Sequence, residues 1–178
     1  MIYLFLAQGF EEVEALCPLD LLRRAGLEVT TVGVGGEMIR GSHGIEVRAD
    51  MTEEFYRDSR PDMVILPGGM PGTLNLGASQ NVRAAVEAAA AHKGTLAAIC
   101  AAPSILGKMG LLRGKKATCF PGFEKDLAGA ECLPDKVVTD GNIITSRGMG
   151  TALDFGLALV AHLCGSEKAE TLRKNVQA

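Results

Sequence analysis

The chain has 178 residues, 47% of them apolar and 22% charged, with a net charge of −3; this is long enough for one domain with a real core and too apolar for a disordered polypeptide. Its mild acidity and the lack of any basic stripe exclude nucleic acid as an expected partner. No apolar run approaches the ~20 residues that cross a bilayer, and the N-terminal Met-Ile-Tyr-Leu-Phe-Leu-Ala lacks the basic start of a secretory signal, so no membrane partner and a cytoplasmic location are expected.

Met1 to Ala7 reads as a strand closed by Gln8-Gly9. Glu11 to Ala25 follows as a helix, with Val13, Leu16, Leu19 and Leu22 at helical spacing and Gly26 at the αL cap position. Pro18 lies inside it and lacks the N–H that would bond the carbonyl of Glu14, so a kink is expected there. Glu14 shares the inward side with Val13 or Ala15, while Glu11, Glu12, Arg23 and Arg24 are free to face water. A solvated glutamate is the usual case, so the pattern leaves Glu14 open between buried and exposed.

Leu27 to Val34 is a second strand, stopped by Gly33-Val-Gly-Gly36. Glycines after a strand invite a dinucleotide reading, but no helix opens on them, and the fingerprint needs that helix. No cofactor is expected. Met38 to Arg48 reads as an antiparallel excursion at the sheet edge, with His43 in a surface loop or bordering a cleft. Asp62 to Pro67 is a third buried strand, followed by Gly68-Gly69-Met-Pro-Gly72. That glycine pair is either a tight turn or a place where backbone N–H groups approach a ligand. Ser79 caps a helix from Gln80 to Lys93, closed by Gly94.

Thr95 to Ile99 is a short apolar run, the pattern of a strand covered on both faces of a parallel sheet. Cys100-Ala-Ala-Pro103 then opens a helix that ends near Gly110, with proline in its first turn. Cys100 therefore falls at a strand-to-helix corner, near unpaired N–H groups and the positive end of a helix, a setting that favours thiolate. The alternative is a packed thiol acting as a small hydrophobe. Lys116 to Phe120 is a short strand. Lys136 to Thr139 and Asn142 to Ser146 flank Asp140-Gly141 as a hairpin, and Thr151 caps a last helix carrying Leu153, Leu157, Val160 and Leu163. Five cysteines, at 17, 100, 119, 132 and 164, are odd in number and lack metal-ligand spacing; all five are expected as reduced thiols, with no metal site.

Strands alternating with helices imply an α/β sandwich on a mainly parallel sheet, one domain over residues 1–178. Ligands of such sheets bind beyond the carboxyl ends of the strands. Gly9 to Glu14, Gly68-Gly69, Cys100 and Arg147 to Gly150 all belong at that edge. A carboxylate beside a thiolate would repel it unless protonated. A desolvated Glu14 would instead donate a hydrogen bond to Cys100, with the N–H groups of Gly69 and Ala101 as an oxyanion hole. No histidine occupies an obvious strand end, so a Cys-His triad is poorly supported.

Gln8-Gly-Phe-Glu-Glu-Val-Glu14, Leu66-Pro-Gly-Gly69, Ala97-Ala-Ile-Cys-Ala-Ala-Pro103 and Thr145-Ser-Arg-Gly-Met-Gly-Thr151 together resemble the DJ-1/ThiJ/PfpI superfamily, most closely its DJ-1 branch with YajL-like bacterial members. The resemblance implies a flavodoxin-like fold, a homodimer, a reactive cysteine at Cys100 and a protonated glutamate at Glu14. By the same resemblance, Gly69 and Ala101 are backbone donors, and Arg147, Gly68, His43 and Phe120 line the pocket. Three positions depart from the family pattern. Ala101 stands where protease-like members carry histidine, which argues against proteolysis. Phe120 stands where DJ-1 itself has histidine, and His43 replaces a pocket arginine, weakening an anion site or supplying a substitute base. Cys119 is either a second thiol near the pocket or a core residue.

Three functions follow as expectations: protection against oxidative or carbonyl stress through an oxidisable Cys100, with peroxide or small reactive carbonyls as partners; a slow glyoxalase or deglycase acting on methylglyoxal or its adducts through a Cys100 hemithioacetal; and a redox-regulated chaperone that needs no Cys100.

Overall fold

The computed structural model describes all 178 residues. The chain opens with β1 (Ile2–Ala7), α1 (Glu12–Arg24) and β2 (Val29–Val34), then a hairpin of β3 (Met38–Arg40) and β4 (Glu46–Arg48). Next come β5 (Met51–Thr52), β6 (Met63–Leu66), α2 (Gly72–Ala78), α3 (Gln80–Ala91), β7 (Thr95–Ile99) and α4 (Pro103–Lys108). The last third holds β8 (Lys116–Ala117), β9 (Glu131–Cys132), β10 (Val137–Asp140), β11 (Ile143–Ser146), α5 (Ala152–Cys164) and α6 (Ser166–Asn175). A seven-stranded sheet runs in the order β10-β11-β7-β6-β1-β2-β5, with every pairing parallel except β10 with β11. The expected mainly parallel, flavodoxin-like three-layer sandwich with a small antiparallel hairpin is what the chain adopts. No helix is long and apolar enough to cross a membrane.

The sheet's layering is written into β1, whose six residues are all buried. Alternate side chains of a strand point to opposite faces. Ile2, Leu4 and Leu6 join one core with Leu19, Leu22, Phe155 and Val160, from α1 and α5. Tyr3, Phe5 and Ala7 join the other, with Leu76, Val82, Val86 and Ile105 from α2, α3 and α4. Burying a side chain such as Leu4 or Phe5 contributes about 1.5–3 kcal/mol, so both faces hold β1 in register. The order of strand addition reverses at β1, which lies between β2 on one side and β6 on the other. Ligands of doubly wound sheets sit at such a switch point.

Several local expectations need correction. Val13 is 43% exposed, and the buried face of α1 is Ala15, Pro18, Leu19, Leu21 and Leu22. Pro18 sits inside the helix as expected, and Pro18 and Leu21 lie so close to Gly156 of α5 that a Cβ there would meet both. The second strand begins at Val29, two residues later than Leu27. The hairpin turns at Gly141-Asn142, because Asp140 pairs with Ile143 and Gly141 takes φ 62°. The strand expected over Lys116 to Phe120 is two residues long. Beyond it the Thr118 N–H donates to Thr145 Oγ1 at 2.9 Å, and the Phe120 N–H donates to the Cys100 carbonyl at 2.8 Å. Thr151 precedes α5, but its hydroxyl donates to Gly148 O at 2.9 Å instead of capping the helix. Ser79 does cap α3, accepting from the Val82 N–H at 3.2 Å. α2, α6, β5 and β9 are additions that the hydrophobic pattern did not mark.

Candidate active site

Cys100 follows β7 directly, and its N–H donates to Ser146 O of the neighbouring β11 at 2.9 Å. Held there, it adopts φ 66°, a left-handed conformation that costs a non-glycine residue about 1–2 kcal/mol. Small Ala101 and Ala102 let the chain swing into α4, with Pro103 at its start. The sharp corner is the one expected, and it turns the half-buried Cys100 side chain towards α1. The N–H groups of Gly69 and Ala101 favour the ionised form of the sulfur. Gly69 presents its N–H because φ 90° re-aims the turn after β6.

Glu14 sits at 1% exposure in the first turn of α1. Glu11, at the N-cap, accepts from the Glu14 N–H at 2.7 Å. The Glu14 carboxyl takes the Gly68 N–H at 3.0 Å. Gly68 packs so closely that a Cβ on it would overlap the Glu14 carboxyl and Cys100 Cβ; glycine is the residue that fits. Burial pushes the Glu14 carboxyl up to about 7, with the negative charge of Glu11 adding to it and the Cys100, Gly68 and Met149 hydrogen bonds opposing it.

The expectation that the helix end alone would favour a thiolate is not met. Burial, the largest influence, pushes the Cys100 thiol up to about 12 with an ionised Glu14 beside it, against the pull of the Gly69 and Ala101 N–H groups. Protonation of Glu14 removes the repulsion and converts the carboxyl into a donor. Thiol and carboxyl thus behave as one coupled pair.

The remaining pocket residues are dispersed. Arg147 is half-buried and donates from Nη1 to Pro134 O at 3.2 Å. With the 47%-exposed Phe120, Gly148 and Met149, it lines a shallow groove beside the pair. That groove reaches the site at Gly148, where a Cβ would touch both the Phe120 ring and Glu14 Oε1. His43 is exposed, and its Nδ1 lies 3.0 Å from Glu12 Oε2. The ring is engaged with Glu12, not with Glu14 or Cys100. Hydrogen bonding to Glu12 and the negative charges of Glu12 and Glu11 raise its pKa. Cys119 is 3% exposed and packs in the core on the α2–α4 side.

Glu12, expected to face water, is 4% exposed. It accepts the His43 N–H at 2.7 Å, the Ile45 N–H at 3.4 Å and the Ser42 hydroxyl at 3.4 Å. Burial opposes its ionisation, but the hydrogen bonds from His43 and Ile45 together outweigh burial and hold the carboxyl below its ordinary value. The signal was Gly41-Ser42, a loop free to fold over an acid: a Cβ on Gly41 would strike the Glu12 carboxylate.

A cysteine on a strained strand-to-helix corner, paired with a buried glutamate at the switch point of a doubly wound sheet, defines a class: flavodoxin-like α/β proteins with an elbow thiol. The chain belongs to the DJ-1/PfpI family, whose profile matches residues 1–162. It is 38% identical over 174 residues to the protein dj-1beta of Drosophila melanogaster, covering 96% of this chain and 93% of that one. It is 31% identical over 166 residues to the Caenorhabditis elegans protein named glutathione-independent glyoxalase DJR-1.2, covering 92% and 88%. The solved structure of oxidized Toxoplasma gondii DJ-1 superposes with a TM-score of 0.95 at 32% identity, covering 99% of this chain and 97% of that one.

Proposed function

We propose that this chain protects against reactive carbonyls and oxidants through one thiol, Cys100, served by Glu14. The observation that carries the reading is the packing of the Glu14 carboxyl beside Cys100, so close that a Cβ on Gly68 would overlap both, with the Gly69 and Ala101 N–H groups favouring the ionised sulfur. Below about pH 7 the buried Glu14 carboxyl holds its proton and acts as a donor to the sulfur. In the reacting form the sulfur, half-buried and beside two amide donors, carries the charge.

With a 2-oxoaldehyde such as methylglyoxal, the sulfur adds to the aldehyde carbon and Glu14 gives its proton to the new alkoxide. The resulting carboxylate takes the proton on C1 and returns it to C2 while the hydroxyl proton passes from the C1 oxygen to the C2 oxygen, and water hydrolyses the thioester that results. Methylglyoxal and water become lactate with no redox co-reactant, and the thiol is restored. Gly69 and Ala101 hold the oxyanion that forms beside the sulfur. With Phe120 in place of a histidine and His43 engaged on Glu12, Glu14 is the acid and base of the site, which implies a slow enzyme. The glyoxalase name of the nematode relative supports this reading.

A second reading is favoured by the partial exposure of Cys100 and by the oxidized state named for the Toxoplasma relative. One peroxide converts the thiolate to sulfenate and a second to sulfinate, each releasing water, with the added oxygens taking the same N–H groups. Lactate formation from methylglyoxal, followed by NMR, tests the first reading: Cys100→Ser and Glu14→Gln should each abolish it, and wild-type rates in both would refute it. Mass spectrometry after mild peroxide tests the second. Oxidation should concentrate on Cys100, and an even spread over the five cysteines would refute it.

A further inference from the structure

On the α2–α4 side of the sheet, away from Glu14, a cavity of about 200 Å³ opens between α2, the start of α3 and α4. Its lining combines three kinds of group. Ile105 and Phe123 supply an apolar wall. Arg83 and Lys108, both exposed, stand at the same cavity, and neither makes a salt bridge in a protein of net charge −3. Thr73 and Ser104 line it while each only 3% exposed. The Thr73 Oγ1 is fully buried and closed to the cavity, which leaves Ser104 as the hydroxyl that can meet a ligand there.

A carboxylate with a short hydrocarbon tail answers all three features at once. Its charge compensates the two free cations, an oxygen accepts from the Ser104 hydroxyl, and its tail covers Ile105 and Phe123. At about 30 Å³ per water, the cavity holds the volume of roughly six waters, enough for a six-carbon acid and too little for a drug-sized ligand. We propose that this cavity is a second small-molecule site, specific for amphipathic monocarboxylates and separate from the Cys100 centre. It does not depend on Cys100 being reactive.

Titration of the isotope-labelled full chain with hexanoate, followed by amide NMR shifts, tests the proposal. Saturable shifts are expected at Thr73, Ser104, Ile105 and Phe123, with a Kd of about 1 mM for so small a ligand. Binding should weaken about tenfold or more for 1-hexanol, and by the same factor in the Arg83→Ala/Lys108→Ala variant. Ser104→Ala should bind roughly threefold more weakly. Cys100→Ala should bind as the wild type does. No saturable shift below about 10 mM, equal affinity for hexanol, unchanged affinity in Ser104→Ala, or shifts centred on Gly69 and Ala101 that vanish in Cys100→Ala would each overturn it.

Discussion

Glu14→Gln replaces a carboxyl at 1% exposure with an amide of the same shape that cannot ionise. In the folded chain the Glu14 carboxyl is raised from an ordinary 4.5 to about 7, chiefly by burial. Whichever partner then carries the charge, the folded Cys100–Glu14 pair binds more protons than the unfolded chain between those values. Stability therefore falls as pH rises through the window from 4.5 to about 7, and the loss is complete above it. The expected size is roughly 3 kcal/mol. Urea unfolding of both proteins from pH 4.5 to 8 reads it, as the difference between the two curves, because groups common to both cancel. Relative to Glu14→Gln, the wild type should lose roughly 3 kcal/mol across the window. Parallel curves would show that Glu14 is not desolvated as described, and the reasoning would fail.

Gly68→Ala drives a methyl group into the Glu14 carboxyl and Cys100 Cβ; it should lower stability by about 1–3 kcal/mol and suppress Cys100 alkylation. Gly150→Ala, which meets open space, should stay within about 0.5 kcal/mol of the wild type in the same denaturation series. The 41–45 loop should depend on Glu12, since this carboxylate holds the His43 and Ile45 N–H groups. Its folded value is depressed, so its contribution is present above the ordinary 4.5 and is lost as pH falls through that lowered value. Hydrogen exchange at His43 and Ile45 should accelerate over that acid range, and at neutral pH in Glu12→Ala. Protection that survives in Glu12→Ala would sink this account of the loop.

What could be read from the chain, and what could not, divides along physical lines. β7 and the Cys100 corner were legible because an apolar run ending in Cys-Ala-Ala-Pro encodes its own strand, turn and helix start locally. β1 was legible for the same reason. Glu12 and Glu14 were not separable on a helical wheel: both are buried, and what buries them is remote in sequence. Gly68 and Cys100 enclose Glu14, and the 41–45 loop encloses Glu12. α2 escaped notice because Gly-Thr-Leu-Asn-Leu-Gly-Ala has weak helix propensity and is held by Leu76 in the core and by its docking against Gly9 and Phe10. Thr118 to Phe120 looked like a strand because its residues favour extended backbone. The N–H groups of Thr118 and Phe120 instead go to Thr145 and to the Cys100 carbonyl, which ties the segment to the site. The coupled ionisation of Cys100 and Glu14 was only half visible. A helix end suggested a thiolate, but the burial that opposes it depends on packing.

The central claim is that Glu14 keeps a proton so that Cys100 can carry the charge. The rate of Cys100 alkylation against pH, in the wild type and in Glu14→Gln, tests it most directly. The account predicts that the wild-type thiolate forms at lower pH than that of Glu14→Gln, because a carboxylic O–H is a stronger donor to sulfur than an amide. A wild-type thiolate that forms only at higher pH than in Glu14→Gln would contradict it, showing that the carboxyl ionises first and suppresses the thiol.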